Sequence, residues 1–250
     1  MTAAAARCTY CCAASVDLAA SAAIPVARAI ASPRTLRHLR LRVSGAPSLL
    51  ELSFPPRQRL EDGALVIERE EGVATGSVSL PVREPRLAED LRPTPFLQVD
   101  DPKVRELAAK IVGHERDAAT VSRKLLDWVF ENLDKVATVS VPNALQVLEE
   151  RKGDCNEHAV LYAALARAAG LPARMVAGTV YVPAEDGSSG AFYYHAWNLV
   201  WLGRWVAVDP TFGQFPADAT HVALVEGGPD KEIALVGIIG RIRFEVESFG

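Results

Sequence analysis

Residues 153–159 read Gly153-Asp154-Cys155-Asn156-Glu157-His158-Ala159, and the fold is decided by how this stretch opens a helix. Asp154 is a favoured N-cap, Glu157 three residues later completes a capping box, and an apolar-periodic run starts behind them. Cys155 is then the first helical residue. Unpaired N–H groups and the positive end of the helix dipole stabilise an anion there, which draws a thiol of ordinary pKa about 8.5 toward thiolate. A lone cysteine is equally a small buried hydrophobe without chemistry. What separates the two readings lies downstream.

Behind Cys155, the residues Ala159, Tyr162, Leu165, Ala166 and Ala169 keep helical spacing, and Gly170-Leu171-Pro172 stops the run. So small a helix surface predicts close packing on a sheet. Strands are expected at Ala173–Val182, Phe192–Trp201 and Arg204–Val208, with a polar loop at 185–190. Alternation through the second strand puts Tyr193, His195, Trp197 and Leu199 on one face. If the turn at Gly203 sets Trp201 opposite Trp205, Trp197 faces Asp209 and His195 becomes the diagonal neighbour of Asp209. A slip of one residue would send Asp209 to the other face.

A carboxylate beside an imidazole fixes its tautomer and stabilises the imidazolium. Taken singly, His195 reads as a structural histidine and Asp209 as a turn residue ahead of Pro210. Taken with Cys155, they stand in the order and setting of a thiol nucleophile, its base and the base's orienter.

Three motifs carry a family resemblance: Gly153 to Ala159, Tyr194-His195-Ala196-Trp197, and Val208-Asp209-Pro210-Thr211. Together, over about residues 95–215, they resemble the transglutaminase-like branch of papain-fold proteins. The resemblance implies an α+β fold, a papain-like transglutaminase core in which a Cys-bearing helix packs on an antiparallel sheet. It also implies Cys155 as nucleophile, His195 as general base and acid, and Asp209 as orienter. Similar domains include cross-linking acyltransferases, peptidases and amidases, and some that have lost catalysis. Bacterial single-core members are more often inferred to hydrolyse peptide-like amides than shown to cross-link, which favours hydrolysis here.

Upstream, residues 36–82 show short alternating strands punctuated by Gly63, Gly72 and Gly76. Prolines at 81, 85, 93, 95 and 102 then mark a surface linker. Helices are predicted from Asp101-Pro102 to Gly113, over Ala118–Asn132 and over Ala144–Glu150. The expected organisation is an Ala-rich tail at 1–31, a small β-rich domain or remnant with its linker at 32–94, and the catalytic core with a C-terminal extension at 95–250. Residues 241–247 alternate as an edge or covering strand. Residues 1–30 have the texture of a degenerate signal or an upstream remnant, so cytoplasmic and exported locations both stay open.

Composition excludes several classes. The chain is 49% hydrophobic and 23% charged, ordinary for a soluble globular protein, and its 27 basic and 31 acidic residues include no cluster dense enough to track nucleic acid. No run approaches the roughly 18 apolar residues of a membrane span. Three of the four cysteines crowd together as Cys8, Cys11 and Cys12, which is not a disulfide framework, and no second ligand pair completes a zinc site there. A zinc ion held by Cys155, His158 and His195 is the weaker alternative for the central motif, because a nucleophile at a capped helix end needs no metal. The expected activity is therefore cofactor-free, metal-free thiol acyl transfer on a peptide or protein amide. The alternative is a non-catalytic peptide-binding module of the same fold.

Overall fold

The computed structural model describes residues 23–45, 52–72, 75–138, 141–186, 188–229, 231, 235 and 240–250. Cys8, Cys11 and Cys12 lie outside the described residues. Strands β1 (Ile24–Pro25), β2 (His38–Ser44), β3 (Gln58–Glu61) and β4 (Ala64–Glu68) come first. Helices α1 (Pro102–Val112), α2 (Ala118–Asn132), α3 (Ala144–Glu150) and α4 (Cys155–Ala168) follow, with short strands β5 (Asp134–Lys135) and β6 (Lys152–Gly153) between them. Strands β7 (Ala173–Val182), β8 (Ala191–Trp201), β9 (Trp205–Val208), β10 (Val222–Glu226) and β11 (Arg243–Phe249) complete the chain, an α+β fold.

The helices start where local chemistry dictates. Asp101 caps α1 ahead of Pro102 by accepting from the Lys103 N–H, and Asp117 accepts from the Thr120 N–H at the head of α2. The central helix α4 is apolar nearly all round: every residue from Ala159 to Ala166 is fully buried. Such a helix is held by its surroundings rather than by one stripe. It packs among α1, α2 and α3 on one side and β7 and β8 on the other. Each fully buried leucine or valine in that contact contributes about 1.5–3 kcal/mol relative to exposure.

The main sheet is antiparallel, ordered β1-β8-β7-β10, with β9 also paired to β8. Trp201 faces Trp205 in the β8–β9 ladder, and Asn198 faces Val208, so the register is the one expected from the turn. Strand β10 runs so close to β7 that a Cβ at Gly178 would lie 2.0 Å from the Val222 carbonyl oxygen, which explains a glycine in a central strand.

A second sheet, ordered β11-β2-β4-β3, packs through Leu39, Leu41, Leu65 and Ile67 against Tyr181, Phe192 and Val222 of the main sheet. Its fourth strand comes from the far end of the chain, where β11 pairs antiparallel with β2. Residues 23–31, which composition groups with a tail, include β1. Ile24 is buried there opposite Phe192, and Val26 and Ile30 are buried in the same cluster, which anchors the segment to the main sheet.

Candidate active site

The approach to Cys155 is pinned before the helix begins. β5 and β6 pair in parallel, the Asp134 N–H donates to the Arg151 carbonyl at 2.9 Å, and the Val136 N–H donates to the Gly153 carbonyl at 3.1 Å. At the helix end both halves of the capping box are made. Asp154 Oδ1 accepts from the Asn156 N–H at 2.9 Å, and Glu157 Oε2 accepts from the Asp154 N–H at 2.9 Å. Glu157 folds back far enough that a Cβ at residue 153 would lie 2.3 Å from its own Cβ, so only glycine fits there. Thr138 donates to Glu157 Oε1 at 2.9 Å. Burial and the neighbouring Glu157 carboxyl push Asp154 up to about 7. Cys155 is half-buried at the first position of α4.

His158, one turn on, is fully buried. Its Nδ1 lies 2.6 Å from the Asp154 carbonyl and must donate to it, while Nε2 has no hydrogen-bond partner among the described residues. Burial holds this imidazole down to about 4, so it is neutral. It packs beneath the helix end, as its position suggested.

His195 and Asp209 meet across the β8–β9 register. His195 Nε2 lies 2.9 Å from Asp209 Oδ2, and both residues are buried. The bond requires Nε2 to carry the hydrogen, so in the neutral ring Nδ1 holds the lone pair. The ring stacks on Phe212 at 4.8 Å and 17°, and lies nearly parallel to Trp197 at 6.2 Å and 20°. Asp209 Oδ1 accepts from the Thr211 N–H at 2.7 Å and the Phe212 N–H at 3.1 Å, which locks the carboxylate in the turn after β9. Burial opposes its charge, but His195 and His221 outweigh that and hold it well below the usual carboxylate range.

The helix and the strand pair are tied together. Asn198 of β8, three residues beyond His195, is fully buried and donates from Nδ2 to the Ala159 carbonyl of α4 at 3.1 Å. Three neighbours of this site were not singled out from the sequence: Asn198, His221 and Asp218. His221 and Asp218 carry no motif of their own, and their one sequence signal is a Asp-x-Thr-His run leading into an apolar strand.

Among the described residues the ionisable cluster close enough to share an ion is His195, Asp209 and His221, not Cys155, His158 and His195. Its contacts to Asp209 Oδ2 are 2.9 and 3.0 Å. Ligand atoms around a tetrahedral zinc stand about 3.3 Å apart given bonds of about 2.0–2.1 Å, so these are hydrogen-bond lengths.

Comparison with known proteins follows the same lines. Residues 105–210, which hold Cys155, His195 and Asp209, match the family model of the transglutaminase-like superfamily. An uncharacterized protein of Mycobacterium leprae (strain TN) is 31% identical over 132 residues, 50% of this chain and 46% of its own length, so the chain spans about half of that relative. Among solved structures, a proposed cysteine protease from Cytophaga hutchinsonii matches with a TM-score of 0.50 at 16% identity, over 87% of this chain and 85% of that one. The periplasmic domain of TgpA from Pseudomonas aeruginosa gives 0.43 at 17% identity, over 79% and 91%. At such identities the likeness is one of fold. The capped cysteine helix and the antiparallel sheet agree with this likeness of residues 105–210 to the transglutaminase-like superfamily.

Proposed function

We propose that the protein is a thiol-dependent acyl-transfer enzyme acting on peptide or protein amides, with Cys155 as nucleophile, His195 as base and acid, and Asp209 as orienter. The observation that carries this reading is the buried 2.9 Å bond between His195 Nε2 and Asp209 Oδ2, on the sheet against which the Cys155 helix packs. It assigns the proton to Nε2 and the lone pair to Nδ1, as a base for a thiol requires.

In the proposed reaction Nδ1 of His195 takes the thiol proton, and Cys155 Sγ attacks the amide carbonyl carbon. The carbonyl π pair moves onto oxygen, where the Cys155 N–H at the helix end helps to hold it. Collapse expels the amine, which leaves with the proton from His195, and a thioester remains on Cys155. Water then attacks the thioester while His195 accepts its proton. Collapse releases the carboxylic acid and returns the thiol. An amine in place of water gives transfer instead of hydrolysis.

The test is the pH dependence of Cys155 alkylation in wild type and His195→Ala, in a background without Cys8, Cys11 and Cys12. Alkylation near neutral pH that is faster than that of an ordinary thiol of pKa about 8.5, and that depends on His195, supports the pair. Mass spectrometry should then find a thioester in wild type and none in a folded Cys155→Ala variant. An ordinary thiol pKa indifferent to His195, or acyl transfer retained by Cys155→Ala, rules the reading out in favour of a peptide-binding module.

A further inference from the structure

His221 stands immediately before β10 and is fully buried. Its Nε2 lies 3.0 Å from Asp209 Oδ2, the oxygen that His195 also reaches. Its Nδ1 lies 3.1 Å from the Asp218 carbonyl oxygen and 3.4 Å from Asp218 Oδ1. Both ring nitrogens therefore face acceptors, and each must carry a hydrogen to bond them, which makes the ring an imidazolium.

The charge continues outward. Asp218 Oδ2 is 2.9 Å from Arg34 Nη1 and accepts from Gln214 Nε2 at 2.8 Å, while its Oδ1 accepts from the Thr220 N–H at 2.8 Å. Arg34 is itself anchored by a hydrogen bond to the Tyr181 carbonyl and lies over the Phe212 ring. From the surface inward the charges alternate: Arg34 positive, Asp218 negative, His221 positive, Asp209 negative. The two carboxylates are matched by two cations before His195 is counted. A further positive charge on His195, whose ring is 5.6 Å from that of His221, would be buried without a counterpart. His158 of α4, on which the Asp209 charge also acts, is neutral.

We propose that His221 is a positioning residue of this site: by carrying the positive charge that balances Asp209, it keeps His195 neutral at rest, with Nε2–H on the carboxylate and Nδ1 ready to accept the thiol proton. The resting enzyme then holds mostly thiol and neutral imidazole, with the thiolate–imidazolium pair as its minor form. The inference builds on the roles proposed for Cys155 and His195. Side-chain electrostatics agree with the geometry. Burial lowers the proton affinity of His195, Asp209 pulls against it, and His221 and Arg34 add to the lowering. Burial opposes charge on His221, but Asp218 and Asp209 outweigh it and hold that ring above its ordinary range.

Two substitutions test this. His221→Gln keeps an N–H donor toward Asp209 without the charge, and Asp218→Asn removes the anion that holds the charge on His221. The titration of His195 is followed by its Cε1–H NMR signal, assigned with His195→Ala, and Cys155 alkylation by iodoacetamide is timed in parallel. In both variants the His195 midpoint is expected to rise by on the order of one pH unit, the effect of removing one charge at this separation in a partly screened site. Alkylation in the near-neutral plateau should rise by up to about tenfold, because a more basic imidazole enlarges the thiolate–imidazolium fraction. A His195 midpoint that is unchanged or lowered in a folded variant overturns the proposal, and Asp218→Asn decides alone if His221→Gln does not fold. A raised midpoint without any change in alkylation upholds the charge placement on His221 and removes instead the pairing of Cys155 with His195.

Discussion

Asp209→Asn is the most searching perturbation of the site, because the surrounding donors dictate how an asparagine must sit. Oδ1 accepts two backbone N–H groups, from Thr211 and Phe212, and neither can reorient. The amide oxygen takes that place, which turns the NH₂ toward the two imidazoles that now bond Oδ2. An NH₂ group only donates, so His195 can answer only by making Nε2 an acceptor and moving its proton to Nδ1, the nitrogen proposed as base. A wrong tautomer in an otherwise intact site is expected to slow acylation by about 10³–10⁴-fold, or about 4–5.5 kcal/mol in the barrier. Stability also falls, since two charge-assisted hydrogen bonds worth roughly 1.5–3 kcal/mol each are lost and only partly replaced. The sign with pH is definite. The folded Asp209 titrates well below its unfolded value, so its contribution is full above about pH 4 and is lost as pH falls further. The variant should therefore be less stable at neutral pH and show a flatter acid limb. The p-nitrophenolate burst from p-nitrophenyl acetate reads the rate, and urea unfolding at neutral and acid pH reads the stability. A folded Asp209→Asn protein that acylates within about tenfold of wild type would refute the tautomer argument.

Asp154→Ala removes the side chain that accepts the Asn156 N–H at the head of α4. It should cost about 1 kcal/mol, visible as a fall in Tm of about 2–4 °C for a chain of this size. His158 is buried neutral, held down to about 4 against about 6.5 when unfolded, so the unfolded chain takes up its proton first as pH falls. Wild-type stability should therefore drop by about 3 kcal/mol from this group between about pH 6.5 and 4, and urea titrations of His158→Gln should show that part of the slope gone.

Much of this site was legible because its parts are local or strictly periodic. The capping box is spelled within four residues, so Asp154 and Glu157 announce where α4 begins and put Cys155 at its first position. The His195–Asp209 contact follows from one turn and a period of two, and Trp201 does face Trp205. His221 was not legible for a physical reason. It is buried on the far side of a loop from 209 to 221 whose path is set by side-chain bonds of Asp209, Gln214 and Asp218 rather than by any repeat. The same limit applies to β11: alternation identified a strand, but a period of two names a face and not a partner, and its pairing with β2 is a matter of tertiary packing. Asn198 reads as one more polar residue in an aromatic strand until α4 is laid against it.

The pairing of β11 with β2 also sets a clock. Ser44 and its partner Arg243 are joined across nearly the whole chain. At a synthesis rate of roughly 5–20 residues per second, β2 leaves the ribosome about 10–40 s before the strand that covers its edge exists. Through that interval Leu39 and Leu41 have β4 on one flank only, and the other flank offers a row of unpaired backbone groups to any passing strand. The hazard of misfolding in this protein is thus concentrated in nascent chains rather than in the finished molecule. Slower translation should lower the yield of folded protein, and a holdase that binds extended apolar segments should restore it.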